Sequence, residues 1–467
     1  MAESTQLQKR DGFQSKWGFI LACIGSAVGM GNIWRFPIMV TRFGGMTFLI
    51  PYFIFVIFVG ATGVIEEFAL GRSSQAGPIG AFGHCTELKT GNKKTGELIG
   101  IIPIIGALML AIGYTVVMGW IFKYAFMSIS GGLFALGTDM GAIGGTFDAT
   151  APEAGSIGEA IGMMFSGGLF GIGNTVWQIV GLVVALIIMA IGVSGGIEKA
   201  NKVMMPVLFV LFVVLAIYIA TLPGASDGYK FLFTIDPKGF ANPQVWVYAF
   251  GQAFFSLSVA GNGSVIYGSY LPMDEDIPSS ARNVAFFDTL AALLAAFVIV
   301  PAIAASGMAM SDVGAGPGLM FVYLVNIMNG MPGGRIVGVI FYIAVLFAGL
   351  SSIINLYEAP VATMQEQFKL KRLPAVAVIG VIGLVVSVII QPYTSQWMDI
   401  VSIYICPLGA FLAAALFFFV AGKDEALKAV NHSAKKPIGG WFYPLGCVFC
   451  VACLVALVLG AMYGGIG

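Results

Sequence analysis

Apolar residues run along this chain in long, nearly unbroken stretches. About eleven of them reach the roughly 20 residues that a membrane-spanning helix needs. They lie at 17–40, 45–70, 99–128, 173–193, 203–222, 243–270, 282–308, 337–364, 374–392, 398–421 and 441–463. Inside hydrocarbon only helices and closed barrels satisfy every backbone group, and segments of this length predict an all-α membrane protein embedded in the lipid bilayer. Two segments are imperfect in the same way. GSAVGMGN interrupts the first and SVAGNGS the sixth, five spans later. That spacing predicts two inverted repeats of five spans, 17–222 and 243–421, with 441–463 as an added eleventh span of one transporter domain, 1–467. Between spans three and four lies a Gly-rich loop with Asp139, Asp148, Glu153 and Glu159. The stretch GAGPGLMFVYLVNIMNGMPGG is too broken for a span and predicts a short helical hairpin.

Composition narrows the picture. Of 467 residues 58% are hydrophobic and 10% charged, against about 25% charged in a soluble domain. The formal net charge is +0, and nothing points to nucleic-acid binding. All but six of the 23 Lys and Arg fall on the side of the N-terminus, the exceptions being Arg35, Arg42, Lys123, Lys230, Lys238 and Arg335. Positive loops stay inside, so the N-terminus is expected in the cytoplasm and, with an odd number of spans, the C-terminus outside the cell membrane. The CVFCVAC run falls inside a lipid-length helix and reads as small apolar packing. With 2 His in the chain, metal or triad chemistry has little to work with.

The richest chemistry is in span one, ILACIGSAVGMGNIWRFP. An unwound stretch frees backbone carbonyls, which is tolerable in a membrane where they line a cavity or hold an ion. Asn32 adds a neutral oxygen suited to a hard cation. The half-helix ends add dipoles, the N-terminal one able to receive a carboxylate. A small-residue packing face would explain Gly25, Gly29 and Gly31, but not Asn32, Arg35 and Pro37 beside them.

GSAVGMGNIWRFP resembles the first-helix signature of the neurotransmitter:sodium symporter family. The likeness continues in order through FGGMTFLIPY, IEEFALGR, GQAFFSLS, YGSYL and FAGLSS, covering spans one to ten. The resemblance implies a sodium-driven importer of neutral, hydrophobic L-amino acids, with two Na+ ions as coupling ions. One sodium site would use the Ala27 carbonyl, Asn32, Ser256 and Asp288, completed by the substrate carboxylate. The second would use the carbonyls of Gly25, Val28 and Ala348 with the hydroxyls of Ser351 and Ser352. Taken alone those two serines would be bland, since serines in membrane helices usually bond back to their own backbone.

The same resemblance implies a substrate site between the broken segments. The substrate carboxylate would meet the backbone at Gly29 and Gly31 and the hydroxyl of Tyr114, its amino group the carbonyls near Phe255, Ser256 and Ser258, and Ala27 would also touch the substrate. Leu110, Phe255, Val259, Gly261 and Leu356 would line the side-chain pocket. Arg35 and Asp399 would form an outer gate above a Tyr114–Phe255 lid. Arg10 and Glu366, with Phe13, Ser269 and Tyr270, would form the inner one, although family members usually carry Trp where Phe13 stands. Ala292 stands where chloride-dependent relatives carry serine, while Asp288 supplies a fixed negative charge nearby, which implies transport without chloride.

Some features speak without the resemblance. Acids buried in a span are expensive and functional by default, which singles out Glu67 and Asp288. Pro206 cannot donate to the carbonyl of Lys202 and weakens the cytoplasmic turn of span five. With Gly196 it reads either as a plain kink or as a hinge that admits water to the second sodium. A proton- or exchange-driven carrier on the same fold would not need Asn32, Ser351, Ser352 and Asp288 together. An intramembrane enzyme would need HExxH, a GxGD-type aspartate motif or an aspartate-rich metal site, and none is present. A channel would fit the polar breaks but not a charged gate and closed lids.

Overall fold

The computed structural model describes residues 12–167, 171–259, 263–314 and 316–465, and these form helices and turns with no strand among them. In chain order the elements that frame the molecule are α1 (Lys16–Ala27), α2 (Gly31–Phe43), α3 (Gly45–Ser74), α4 (Pro78–Thr90) and α5 (Lys94–Ser130). They continue with α6 (Thr175–Ala190), α7 (Val193–Ala220), α8 (Pro243–Ser256), α9 (Gly263–Ser269) and α10 (Ile277–Ala305). The last four are α11 (Leu319–Gly330), α12 (Gly334–Gln367), α13 (Arg372–Ala421) and α14 (Phe442–Tyr463).

Among the described residues 7 helices are long and apolar enough to cross a membrane, or 8 if the bent pair α1 and α2 is one span. This is fewer than the eleven expected, for local reasons. The fourth expected span is covered by α6, only 16 residues long. The sixth is divided into α8 and α9, separated by residues 257–262. The ninth and tenth run together in the 50 residues of α13, interrupted only by a tight turn at Gln391–Tyr393 where Pro392 removes a backbone donor. The expected hairpin at 314–334 contains a single apolar helix, α11. The Gly-rich loop after α5 holds two short helices, Met140–Asp148 and Ile157–Gly167, the first capped by the Asp139 carboxylate.

Alternation of small and large residues sets how closely these helices approach. The longest seam joins α5 to α12. There the Thr115 hydroxyl meets the Tyr357 hydroxyl at 2.8 Å, one of the few polar contacts in an otherwise apolar stack. Between α2 and α3 the chain turns through Gly44 and Gly45, both at positive φ. A side chain on Gly45 would strike the backbone carbonyls of Phe231 and Leu232, so the turn requires glycine there. The outer faces of α6, α7, α13 and α14 expose Val, Ile, Leu and Phe, as lipid contact demands.

Candidate functional site

Two helices break at the centre of the molecule. Between α1 and α2, Val28 and Gly29 leave helical geometry and the axis bends by 56°. Val28 turns out at ψ 90° while its own N–H still closes on Ile24. The second break follows Ser256, where Ser258 takes φ 58°, a left-handed conformation uncommon for a non-glycine residue. The breaks face each other. The Ser258 hydroxyl donates to the Ser26 carbonyl at 2.9 Å, and the Gln252 amide donates to the Gly31 carbonyl at 3.3 Å.

Beside the breaks sits a buried polar knot. Asn32 Nδ2 donates to Asp288 Oδ1 at 2.8 Å and to Ser256 Oγ at 3.1 Å. Ser256 Oγ donates in turn to Asp288 Oδ2 at 2.7 Å. Asn32 Oδ1 accepts from the Gly29 N–H at 3.3 Å, across the break. Asp288 is fully buried on α10, so its negative charge needs compensation that two neutral donors supply only in part. Asn32 turns its amide nitrogen toward Ser256 and Asp288 and its oxygen toward Gly29. A small hard cation beside Asp288 would take the Asn32 oxygen as a ligand only with the amide turned over. Of the residues expected at this first site, Asn32, Ser256 and Asp288 are brought into direct contact, and Ala27 lines the cavity beside them.

On the other side of α1 the chain meets α12. Ser351 and Ser352 are buried there, with Ala348 one turn earlier on α12. Ser351 Oγ donates to the Ala348 carbonyl at 3.0 Å, leaving its lone pairs uncommitted, and Ser352 Oγ has no hydrogen-bond partner. A methyl on Gly25 would lie 2.8 Å from Ser351 Cβ, and one on Gly29 would lie 2.8 Å from Ser352 Oγ. Glycine at both positions is what lets the two helices close on this gap.

Between the breaks opens a cavity of about 350 Å³, a size suited to a small metabolite. Its floor and walls include Ala27, Gly29, Gly31, Tyr114, Phe255 and Ser258, with Leu110 and Leu356 as apolar lining. Val259 is buried but not on the cavity wall, and Gly261 lies outside the described residues. The cavity extends to Arg35 and Asp399, which line it without a direct ion pair; the Arg35 Nε is buried and has no hydrogen-bond partner. Tyr114 and Phe255 line the same cavity.

Of the residues expected at the inner gate, Phe13 and Tyr270 gather in a second cluster. The Phe13 ring packs edge-on against Phe19 at 5.4 Å, Tyr267 at 5.5 Å and Tyr270 at 6.3 Å. The Tyr270 hydroxyl donates to Glu358 Oε1 at 2.6 Å, and Arg372 grips the same carboxylate through both terminal nitrogens, at 2.5 and 2.7 Å. Ser269 Oγ bonds back to Ile266, and Glu366 accepts the Gly77 N–H. Arg10 lies outside the described residues. Gly196 belongs to the π-turn Val193–Ile197 that opens α7, and Pro206 lies ten residues further on, within the helix.

A model of the Sodium:neurotransmitter symporter family matches residues 10–135 and 159–462. The chain belongs to this family. Among relatives of the family, an uncharacterized sodium-dependent transporter of Methanocaldococcus jannaschii is 31% identical over 98% of this chain and 93% of its own length. The mouse sodium-dependent neutral amino acid transporter B(0)AT3 is 30% identical over 62% of this chain and 47% of its own. The crystal structure of MhsT in complex with L-phenylalanine superimposes with a TM-score of 0.79 at 32% identity, covering 96% of this chain and 99% of that one. Membership in the sodium:neurotransmitter symporter family makes this a multi-pass, sodium-coupled transporter.

Several participants escaped the sequence reading. Glu358 and Arg372 pair beside Tyr270, and Glu358 could have been found by the rule applied to Glu67, as an acid inside an apolar span. Glu198 accepts from the Gln14 N–H at 2.7 Å and the Ser15 hydroxyl at 2.8 Å, anchoring the start of α1 to α7. Its signal was weak, since GIEKANK reads as an ordinary charged helix end.

Proposed function

We propose that the protein imports neutral, hydrophobic L-amino acids, aliphatic and aromatic, together with two sodium ions and without chloride. The observation that carries this reading is the Asn32–Ser256–Asp288 knot, which abuts a cavity walled by Tyr114, Phe255, Leu110 and Leu356. A fixed carboxylate there offsets cation charge in a low-dielectric interior, which is the task a bound anion would otherwise perform. The substrate carboxylate would reach the broken backbone at Ala27, Gly29 and Gly31 and the Tyr114 hydroxyl, and so share the first sodium. The second sodium would bind Gly25, Val28, Ala348, Ser351 and Ser352. No charged side chain lines the apolar end of the cavity at Leu110, Phe255 and Leu356, which favours neutral substrates.

In this reading the protein alternates between faces about two five-span repeats, with the N-terminus in the cytoplasm. The open cavity at Arg35 and Asp399 and the shut cluster at Phe13, Tyr270 and Glu358 correspond to an outward-facing state. Its parts have a physical order. Sodium and substrate draw the two breaks together, the outer gate closes over Tyr114 and Phe255, and the inner cluster then releases. The test is labelled leucine uptake into proteoliposomes holding the purified protein, with a panel of competitors. Phe, Trp, Ile and Val should compete and Lys and Glu should not; competition by Lys or Glu, or none by the aromatic residues, would contradict the substrate class.

A further inference from the structure

One buried amide oxygen has no role in holding the fold. Asn201 sits on α7 just after the π-turn Val193–Ile197 and is wholly buried. Its Nδ2 donates to the Ile197 carbonyl at 2.9 Å. That bond fixes the amide, because a flipped side chain would set two acceptor oxygens against each other. The remaining atom, Oδ1, has no hydrogen-bond partner. It is aimed at α1: a methyl on Gly25 would lie 2.2 Å from Asn201 Oδ1 and 2.8 Å from Ser351 Cβ.

An unsatisfied acceptor in a dry interior is costly, and native folds rarely keep one without a use. Asn201 Oδ1 lies beside the Ser351 side chain at Gly25, with Ser352 further along the chain at Gly29. Ser351 has already given its hydroxyl hydrogen to Ala348, and Ser352 Oγ is buried without a partner. Neutral oxygens with lone pairs free, gathered along one face of α1 and its break, suit a hard monovalent cation.

We propose that Asn201 Oδ1 is a ligand of the second sodium ion, contributed by α7 from the side opposite Ser351. The inference rests on the sodium-symport reading and extends it to a third helix. It has a consequence for release. Three residues before Asn201, Glu198 holds Gln14, Ser15 and Lys202, the last at 2.6 Å. The start of α7 is therefore tied both to the ion and to the segment that seals the inner face. Withdrawal of this turn of α7 from α1 removes an ion ligand, and by linkage a bound ion holds the turn in place.

The test is a sodium titration of labelled leucine binding to the purified full-length protein. In the parent, binding should rise with sodium; a parent titration without sodium dependence would remove the symport reading and this inference with it. Given that dependence, Asn201→Ala should raise the half-maximal sodium concentration about tenfold, the lower end of what support at a metal site is worth. Leucine affinity at saturating sodium should be unchanged. Asn201→Asp, which keeps an oxygen in place, should titrate at or below the parent concentration. Asn201→Leu, of similar size and without oxygen, decides the matter if the alanine variant does not purify. Parent-like sodium dependence in Asn201→Ala or Asn201→Leu would overturn the assignment, as would an aspartate variant as weak as the alanine one.

Discussion

The hydroxyl of Ser258 donates to the carbonyl of Ser26 at 2.9 Å, bonding two interrupted helices to each other at their interruptions. The contact matters because each interruption also presents backbone groups to the cavity. Ala27, Gly29 and Gly31 come from one break, Phe255 and Ser258 from the edge of the other. A ligand that bridged the breaks would pull on both, and an ion and a substrate bound here would be coupled in that way.

Chloride should be dispensable. Ala292 is buried on α10 one turn after Asp288, and it cannot complete an anion shell with a hydroxyl. The Asp288 carboxylate already supplies negative charge beside the cation position. Uptake should persist when gluconate replaces chloride. Asp288→Asn should abolish uptake in chloride-free buffer, and normal transport by that variant would show the charge is supplied elsewhere.

Ser351→Ala should weaken sodium binding. It deletes one hydroxyl from the gap facing Gly25 while leaving the cavity wall at Tyr114, Phe255 and Leu356 in place. The sodium concentration needed for half-maximal leucine binding should rise, and at low sodium the leucine affinity should fall with it because the two are linked. Equal sodium curves for parent and variant, measured by equilibrium binding, would mean that the second ion binds elsewhere.

Pocket size should follow residue 261. The family resemblance puts Gly261 in the wall of the side-chain pocket, where a residue without a side chain would leave room for a large substrate. Indole binding gains apolar burial of about 25 cal/mol per Å² before ordering costs. Gly261→Phe should therefore lower competition by Trp relative to Leu. An unchanged Trp-to-Leu ratio in a folded variant would remove Gly261 from the pocket.

The inner face should depend on Glu358. Its carboxylate is fully buried, paired with Arg372 and bonded to Tyr270. Leaving the Arg372 charge without its partner costs about 3–5 kcal/mol in comparable buried pairs. Glu358→Gln should lower thermal stability and increase labelling of a cysteine introduced at Ser269. Unaltered labelling would mean that Phe13 and its aromatic neighbours keep this side shut alone.

Much of this was legible in the sequence, for a physical reason. Glycines beside Asn32 and Ser256 have no place in a lipid-facing helix, and so the two breaks announced themselves by composition. Long apolar runs likewise marked most of the helices, and the polar run QPYTSQ between spans nine and ten marked the turn at Gln391–Tyr393. They overstated α6, which is shorter than its hydropathy suggested. Contacts that depend on distant elements stayed hidden. Asn201 is one polar residue in a charged helix end, and only its approach to Gly25, 176 positions away in the chain by numbering, gives its oxygen a meaning. The Glu358–Arg372 pair spans the turn between α12 and α13 and needed the fold to bring it under Tyr270.

The central claim is that a sodium gradient drives amino-acid accumulation through the cavity between the two breaks. It is tested most directly by labelled leucine uptake in proteoliposomes with sodium high outside and potassium inside, against a matched set with sodium equal on both sides. The account predicts that the gradient raises internal leucine above the external concentration, transiently, and that an Asn32→Ala variant in the same vesicles does not. Equal uptake with and without the gradient, or accumulation driven as well by a proton gradient in sodium-free buffer, would contradict it.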